Sequence, residues 1–248
     1  MVVSKDSWHL KIFSTIFLLL PIAFITGPFL PDLFASLIAL YFLIISMKKK
    51  LFHYYKNFFF YFFSLFYLYL LLRGLLSEYP FESLIEFDGP IFFFRYLFFV
   101  LGIKYILDSN QNLIKYFTIL LLAVVLFTSM DGYLQWFTGY NILGFTPPTI
   151  RVTGIFNSEE ILGHFLSHTT PLLIALLAFV FGVNKKQIIS YVTILIFVEV
   201  MIFISGDRAA FLKIVQFTIL LIILSKNFKL TRLVSFIISS LIIVMLIL

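Results

Sequence analysis

The sequence predicts an all-α fold, a polytopic bundle of transmembrane helices. Hydrophobic residues make up 62% of the 248 residues, and charged residues only 12%, against about 25% in an ordinary soluble domain. Apolar runs of about 20 residues, the length that crosses a bilayer, recur along the whole chain. A soluble protein of this size could not bury so much apolar surface. The composition therefore excludes a water-soluble globular enzyme, a disordered tail and a nucleic-acid-binding module, and the net charge of +6 is spread too thinly for a nucleic-acid surface.

The apolar runs predict about nine transmembrane helices within one transmembrane domain that covers residues 1–248. The first run follows Lys5 and Lys11 and has no small-residue cleavage site after it, so we expect an uncleaved anchor rather than a signal peptide. The last run reaches Leu248 without a polar flank, and we expect the domain to be incomplete there. The approximate bounds of the spans are 12–29, 32–47, 57–73, 90–107, 114–134, 160–182, 188–205, 209–225 and 231–248.

Charge alternates from one end of these spans to the other. Most of the 18 Lys and Arg residues fall on one side, which predicts a cytoplasmic N-terminus by the positive-inside rule. That side contains Lys5, Lys11, Lys48, Lys49, Lys50, Lys56, Lys104, Lys115, Lys185, Lys186, Lys226, Lys229 and Arg232. The outer side contains Asp32, Glu78, Glu82, Glu86, Asp88, Asp131, Glu159, Glu160 and Asp207.

The remaining basic residues lie in the outer half of the bilayer or outside it, and most are arginines. A guanidinium binds a phosphate or carboxylate through two parallel hydrogen bonds, and an ionisable group within the membrane costs about 2.5–3.5 kcal/mol, so it usually faces a cavity or a partner. We therefore predict an outward-facing site for an anion. In the structural alternative, Arg95 or Lys213 pairs with Glu199, or Lys213 extends to the membrane surface. The set consists of Arg73, Arg95, Arg151, Arg208 and Lys213.

Residues 131–160 form the longest outer segment, and its glycines and prolines predict an irregular loop. Asn157, followed three residues later by Glu160, has the spacing of an N-cap with a capping-box partner. This pattern predicts that the sixth span begins at about Ser158.

Glu160, His164 and His168 then recur at every fourth position and would form one polar stripe on this helix. The stripe is either a hydrogen-bonded seam between helices or a cavity wall that carries a titratable group. Two histidines at this spacing could bind a metal, but the sequence offers no third ligand, so we expect no metal site.

Two sequence blocks accompany this loop and the turn after the seventh span. The first is Asp131-x3-Gln135-x3-Gly139-x-Asn141-x2-Gly144, continued by Arg151-x2-Gly154-x-Phe156-x2-Glu159-Glu160-x2-Gly163. The second is Ser205-Gly206-Asp207-Arg208-Ala209-Ala210. Their order and outer placement, together with the Gly27-Pro28 turn after the first span, resemble the O-antigen ligase / O-antigen polymerase superfamily of bacterial membrane glycosyltransferases.

The resemblance implies a multi-pass protein of the bacterial inner (cytoplasmic) membrane. Such a protein would transfer a glycan from undecaprenyl diphosphate to a hydroxyl of an acceptor glycolipid or glycan on the periplasmic side, in surface polysaccharide or lipopolysaccharide synthesis. It would use no metal and no soluble cofactor. Arg151 and Arg208 match the arginine positions to which the resemblance assigns the carrier diphosphate, and Arg95 fits an arginine of an earlier helix. Lys213 would add a secondary positive charge.

Glycan transfer to a hydroxyl also needs a general base. His164 and Glu160 are the candidates within this sequence, and a large outer loop, in which family members carry a histidine, would lie beyond residue 248. Two other classes stay open. A transporter or flippase for a lipid-linked or anionic substrate would show internal repeats and broken helices, and an inactive fragment or a membrane scaffold would retain only the fold.

Overall fold

The computed structural model describes residues 8–85, 89–224 and 229–247, and every regular element in these ranges is a helix. The all-α prediction is therefore confirmed. The helices are α1 (Trp8–Ala23), α2 (Phe29–Lys48), α3 (Phe58–Leu75), the short α4 (Pro80–Ile85), α5 (Pro90–Ser109), α6 (Asn112–Thr138), α7 (Leu162–Phe181), α8 (Lys185–Ile204), α9 (Arg208–Leu224) and α10 (Lys229–Ile247).

Each of the nine predicted spans overlaps one long helix of the described chain, although the first, 12–29, extends past the end of α1 at Ala23 to the first residue of α2. Six helices of the described chain are long and apolar enough to cross a membrane, namely α2, α3, α5, α6, α7 and α8. The helices α1, α9 and α10 are not among them, and α1 and α9 have only 16 and 17 residues. These helices indicate a multi-pass membrane protein, while the count of nine spans and the cytoplasmic N-terminus stay predictions.

The chain divides into two compact units between Leu113 and Ile114. In the first unit, α2 and α5 run parallel and in close contact. Gly102 on α5 makes this possible, since a Cβ there would lie 2.8 Å from the Ile38 side chain and 3.0 Å from the Ile38 carbonyl oxygen on α2. Further along both helices, the rings of Phe42 and Tyr105 lie 6.3 Å apart.

A short 3₁₀ turn, Phe52–Tyr55, joins α2 to α3 and closes this end of the first unit. The Tyr54 hydroxyl donates a 2.8 Å hydrogen bond to Asp108 at the end of α5. Burial raises the pKa of Tyr54, and the Asp108 carboxylate raises it further. Tyr54 therefore stays a neutral donor, and it fixes the α2–α3 connection to α5.

In the second unit, α7, α8, α9 and α10 pack on one another. Their interior holds an ion pair between Glu199 of α8 and Arg232 of α10, whose side chains are 2% and 0% exposed. Arg232 also donates to Thr218 of α9, and Ser239 donates to Glu199 at 2.9 Å.

Two sequence interpretations are wrong at this ion pair. Arg232 is a buried partner of Glu199 rather than a hydrated charge at the inner end of a span, and Glu199 pairs with neither Arg95 nor Lys213. The physical reason is that two fully buried charges are tolerated when they neutralise each other and most of their other polar atoms are hydrogen-bonded, here by Thr218, Ser235 and Ser239.

Candidate anion-binding site

Buried polar side chains at the end of α6 organise the loop between α6 and α7 in the second unit. The Gln135 side-chain oxygen accepts hydrogen bonds from the backbone N–H groups of Thr153 (2.8 Å) and Gly154 (2.7 Å). Asp131 accepts from the backbone N–H of Ile142 at 2.7 Å. Because α6 continues to Thr138, the irregular segment begins at Gly139 rather than at residue 131.

The Asn141 side chain fixes the middle of this loop, since it both accepts and donates backbone hydrogen bonds. Its side-chain oxygen accepts from the backbone N–H groups of Leu143 (3.0 Å) and Phe145 (2.8 Å), and its amide donates to the Gly154 carbonyl at 2.8 Å. Gly154 has a φ of +55°, and a Cβ there would lie 3.1 Å from the Asp131 carboxylate. Glycine is therefore the residue that fits both the backbone conformation and the space.

The start of the sixth span differs from the prediction. The helix α7 begins at Leu162, Asn157 ends a short 3₁₀ turn with a φ of +55°, and it caps no helix. Glu160 precedes the helix, where it accepts hydrogen bonds from Arg151 at 2.9 Å and from the Thr149 hydroxyl at 2.6 Å. The charged partner within the loop replaces the capping box, so Glu160 is not part of a helical stripe with the histidines.

The two sequence blocks meet in space. Arg151 lies across Gly206 of the α8–α9 turn, where a Cβ would be 3.2 Å from the Arg151 side chain, and Gly206 has a φ of +75°. A cavity of about 840 Å³ opens at this contact. It is lined by Ile150, Arg151, Phe203, Gly206, Asp207, Arg208, Ala209 and Phe211.

Arg208 is the first residue of α9 and is exposed. It forms no hydrogen bond or ion pair with any other residue that the structure describes. Arg151 uses only Nη1, for Glu160, so its other guanidinium N–H groups are free of partners in the described chain. Asp207 caps α9 by accepting from the backbone N–H of Ala210 at 3.1 Å. The cavity therefore offers guanidinium donors, while the helix N-terminus is already occupied by a carboxylate.

His164, His168 and Lys213 form a polar cluster beside this turn. The Lys213 ammonium lies 3.0 Å from Nε2 of His164 and 3.4 Å from Nε2 of His168. Nδ1 of His164 lies 3.4 Å from the same ammonium and 3.7 Å from the Asp207 carboxylate. Lys213 is therefore partnered with the two histidines rather than with Glu199 or with the cavity.

Arg95 lies in the first unit and has a partner there. It forms a 2.9 Å ion pair with Asp32 of α2 and a 3.1 Å hydrogen bond to the Tyr96 hydroxyl, which donates to the same carboxylate. This geometry gives Arg95 a role in holding α5 to α2. Arg73, at the end of α3, lines a separate cavity of about 360 Å³ in the same unit.

Sequence reasoning missed the apolar half of the cavity and one polar residue in it. Phe203 and Phe211 lie edge to face, with ring centroids 5.7 Å apart, and together with Ile150 they form an apolar wall beside the arginines. Apolar residues in a membrane protein carry no signal that separates a cavity wall from a lipid-facing surface. The signal for Asp207 was its place between Gly206 and Arg208, which the charge analysis treated only as an outer-side marker.

The fold and the site together define a multi-pass helical membrane protein with a cavity that is cationic on one side and apolar on the other. No protein-family model matches the chain, and no curated protein or solved structure matches it significantly. The functional interpretation therefore depends on the site itself and on the resemblance of its two sequence blocks.

Proposed function

We propose that the protein is a glycosyltransferase of the O-antigen ligase/polymerase type. It takes a glycan from undecaprenyl diphosphate and transfers it to a hydroxyl of an acceptor glycolipid or glycan at the periplasmic face of the bacterial inner membrane. The single observation that carries this proposal is that Arg151 and Arg208, far apart in the sequence, line the same cavity.

The cavity suits the chemistry of a lipid-linked diphosphate. A diphosphate leaving group gains negative charge as the sugar–phosphate bond breaks, and fixed cations stabilise that charge more in the transition state than in the ground state. Arg208 is unpaired within the described chain, and Arg151 keeps free donors beside its contact with Glu160. The apolar wall formed by Phe203, Phe211 and Ile150 gives the polyprenyl end of the donor an apolar surface next to the arginines.

Two of the predicted substrate-binding residues have other roles in this proposal. Arg95 is neutralised by Asp32, and we assign it to helix packing. The Lys213 ammonium contacts His164 and His168, so we assign it to positioning these histidines rather than to binding the diphosphate. The donor diphosphate is therefore assigned to Arg151 and Arg208 alone.

The proposal is tested by complementing a deletion strain with the full-length gene and examining its surface glycan. We expect Arg151→Lys and Arg208→Lys to reduce glycan transfer strongly, since lysine keeps the charge but loses the bidentate fork. Lys185→Ala, at the start of α8 and outside the cavity, is the matched control. Normal surface glycan from both arginine variants, at normal protein levels in the membrane, would contradict the proposal.

Purified protein in detergent gives a second measurement with undecaprenyl diphosphate as the probe. Wild-type protein should bind it, and Arg208→Ala should weaken binding because the unpaired guanidinium is lost. Transport of the lipid-linked glycan across vesicle membranes without any glycan transfer would instead support the transporter class.

A further inference from the structure

We propose that Asp207 is the proton acceptor for the attacking hydroxyl in this transfer, an inference that rests on the proposed function. Four acidic or imidazole groups of the described chain lie at or beside the cavity and could take a proton, namely Asp207, Glu160, His164 and His168. Their hydrogen-bond partners show which of these groups can still accept a proton.

Glu160 is occupied on both carboxylate oxygens. Oε1 accepts from the Thr149 hydroxyl at 2.6 Å, and Oε2 accepts from the Arg151 guanidinium at 2.9 Å. A base needs an oxygen lone pair that points at the substrate. Because both oxygens already serve the loop, Glu160 is a positioning residue for Arg151.

His164 is occupied as well. The Lys213 ammonium lies 3.0 Å from Nε2 and 3.4 Å from Nδ1 of His164, and an ammonium group only donates hydrogen bonds. Nδ1 of the same ring lies 3.7 Å from the Asp207 carboxylate. His168 is also occupied, since its Nδ1 donates to the His164 carbonyl at 2.9 Å while its Nε2 faces Lys213 at 3.4 Å. Both ring nitrogens of each histidine therefore already have a polar neighbour within the protein.

Among these four groups of the described chain, Asp207 is the one that keeps an oxygen atom without a hydrogen-bond partner. Its carboxylate lines the cavity beside Arg151 and Arg208, and its side chain is 16% exposed. Oδ1 caps α9 through the backbone N–H of Ala210. Oδ2 forms no hydrogen bond of ordinary length with the described residues, and its nearest ionisable neighbour is His164 at 3.7 Å. One carboxylate oxygen is thus fixed in direction and free to accept a proton.

The step balances without any further reactant. The acceptor oxygen forms a bond to the anomeric carbon while the bond from that carbon to the phosphate oxygen breaks. The electron pair leaves with the diphosphate, which Arg151 and Arg208 hold, and the hydroxyl proton moves to Oδ2 of Asp207. His164, which contacts Lys213, lies 3.7 Å from the Asp207 carboxylate and helps to position it.

Asp207→Asn tests the proposal, because an asparagine oxygen still caps α9 but no longer accepts a proton. In full-length protein, glycan transfer should fall by about 100-fold or more, the usual contribution of a general base, while binding of undecaprenyl diphosphate stays unchanged. Asp207→Ser, whose hydroxyl can also cap α9, should likewise reduce glycan transfer and leave binding of undecaprenyl diphosphate unchanged. Glu159→Gln, on a neighbouring exposed carboxylate that does not line the cavity, is the control for charge removal and should leave transfer unchanged.

Transfer that persists in Asp207→Asn would overturn the proposal. Loss of both transfer and binding in both cap-preserving variants would also overturn it, since Asp207 would then hold the cavity together rather than accept a proton. A failure of the proposed function looks different, because the wild-type protein itself would then neither bind undecaprenyl diphosphate nor alter the surface glycan.

Discussion

Gln135 is the residue whose replacement tests the loop architecture most directly. Its side-chain oxygen is the hydrogen-bond acceptor for the backbone N–H groups of Thr153 and Gly154, and all three residues are buried. Gln135→Leu keeps the volume of the side chain and removes the acceptor. Arg151 precedes this anchored pair by two residues, so the substitution should also loosen the arginine.

The magnitude follows from the two groups left without a partner. A buried donor that loses its acceptor costs about 1–3 kcal/mol, so two of them cost about 2–6 kcal/mol. If this cost lowers the free energy of local loop opening, a cost of about 2 kcal/mol raises the population of the open loop by about 30-fold, since about 1.4 kcal/mol corresponds to a factor of ten. The helices themselves should stay folded, because their hydrogen bonds are intrahelical.

Hydrogen–deuterium exchange of the detergent-solubilised protein measures this change. Peptides that cover residues 141–154 should exchange about 30-fold faster in Gln135→Leu, and binding of undecaprenyl diphosphate should weaken. Gln216→Leu is the matched control: Gln216 lies on α9 and makes no side-chain hydrogen bond to the described residues. Equal exchange of this loop in wild-type and Gln135→Leu protein would refute the reasoning.

Three further substitutions test the packing around the site, each measured as the thermal midpoint of purified protein. Gly163→Ala should lower the free energy of unfolding by about 1–3 kcal/mol, the usual cost of overpacking. Its new Cβ would meet the Ser205 hydroxyl and lie 2.8 Å from the Asp207 Cβ. An unchanged midpoint would show that α7 can move away from this contact freely. Glu199→Gln should cost about 3–5 kcal/mol, since it leaves the buried Arg232 charge uncompensated, and a double replacement of Glu199 and Arg232 by leucine should recover most of that loss. Asp32→Asn should cost at most about 1 kcal/mol, because the Asp32 ion pair is partly exposed, and a larger loss would assign it a greater role in packing.

The helices were predictable because a span is a local property of the sequence. A run of about 20 apolar residues has few alternatives in a bilayer, since every backbone polar group must be hydrogen-bonded within the segment. Long helices of the described chain accordingly lie at the predicted runs, and six of them are long and apolar enough to cross a membrane, whereas the count of nine spans stays a prediction. The start of α7 was missed because Asn157 and Glu160 have the spacing of a capping box, while a tertiary partner, Arg151, competes for the same carboxylate.

The partners of charged residues were much harder to predict. Sequence gives the depth of Glu199 in the membrane but not the direction in which its side chain points, so Arg232 was not among its expected partners. Arg151 and Arg208 were chosen for their chemistry and their outer placement, and their proximity depends on the turn at Gly206, which no local pattern specifies. The chemical properties of each candidate residue are thus visible in the sequence, whereas which of these residues lie together in the fold depends on tertiary contacts.

The outer-side charges differ in a way that bears on their function. Arg95 has Asp32, Glu160 has Arg151, and Glu199 has Arg232, as expected if each ionisable group near the membrane needs a partner. Arg208 and Arg73 depart from this pattern, since none of the described residues pairs with either and each lines a cavity. The Arg208 cavity also contains Arg151 and an apolar wall. In the proposed function, the diphosphate of the donor supplies a negative charge for Arg208, and the apolar wall beside Arg208 contacts the lipid tail.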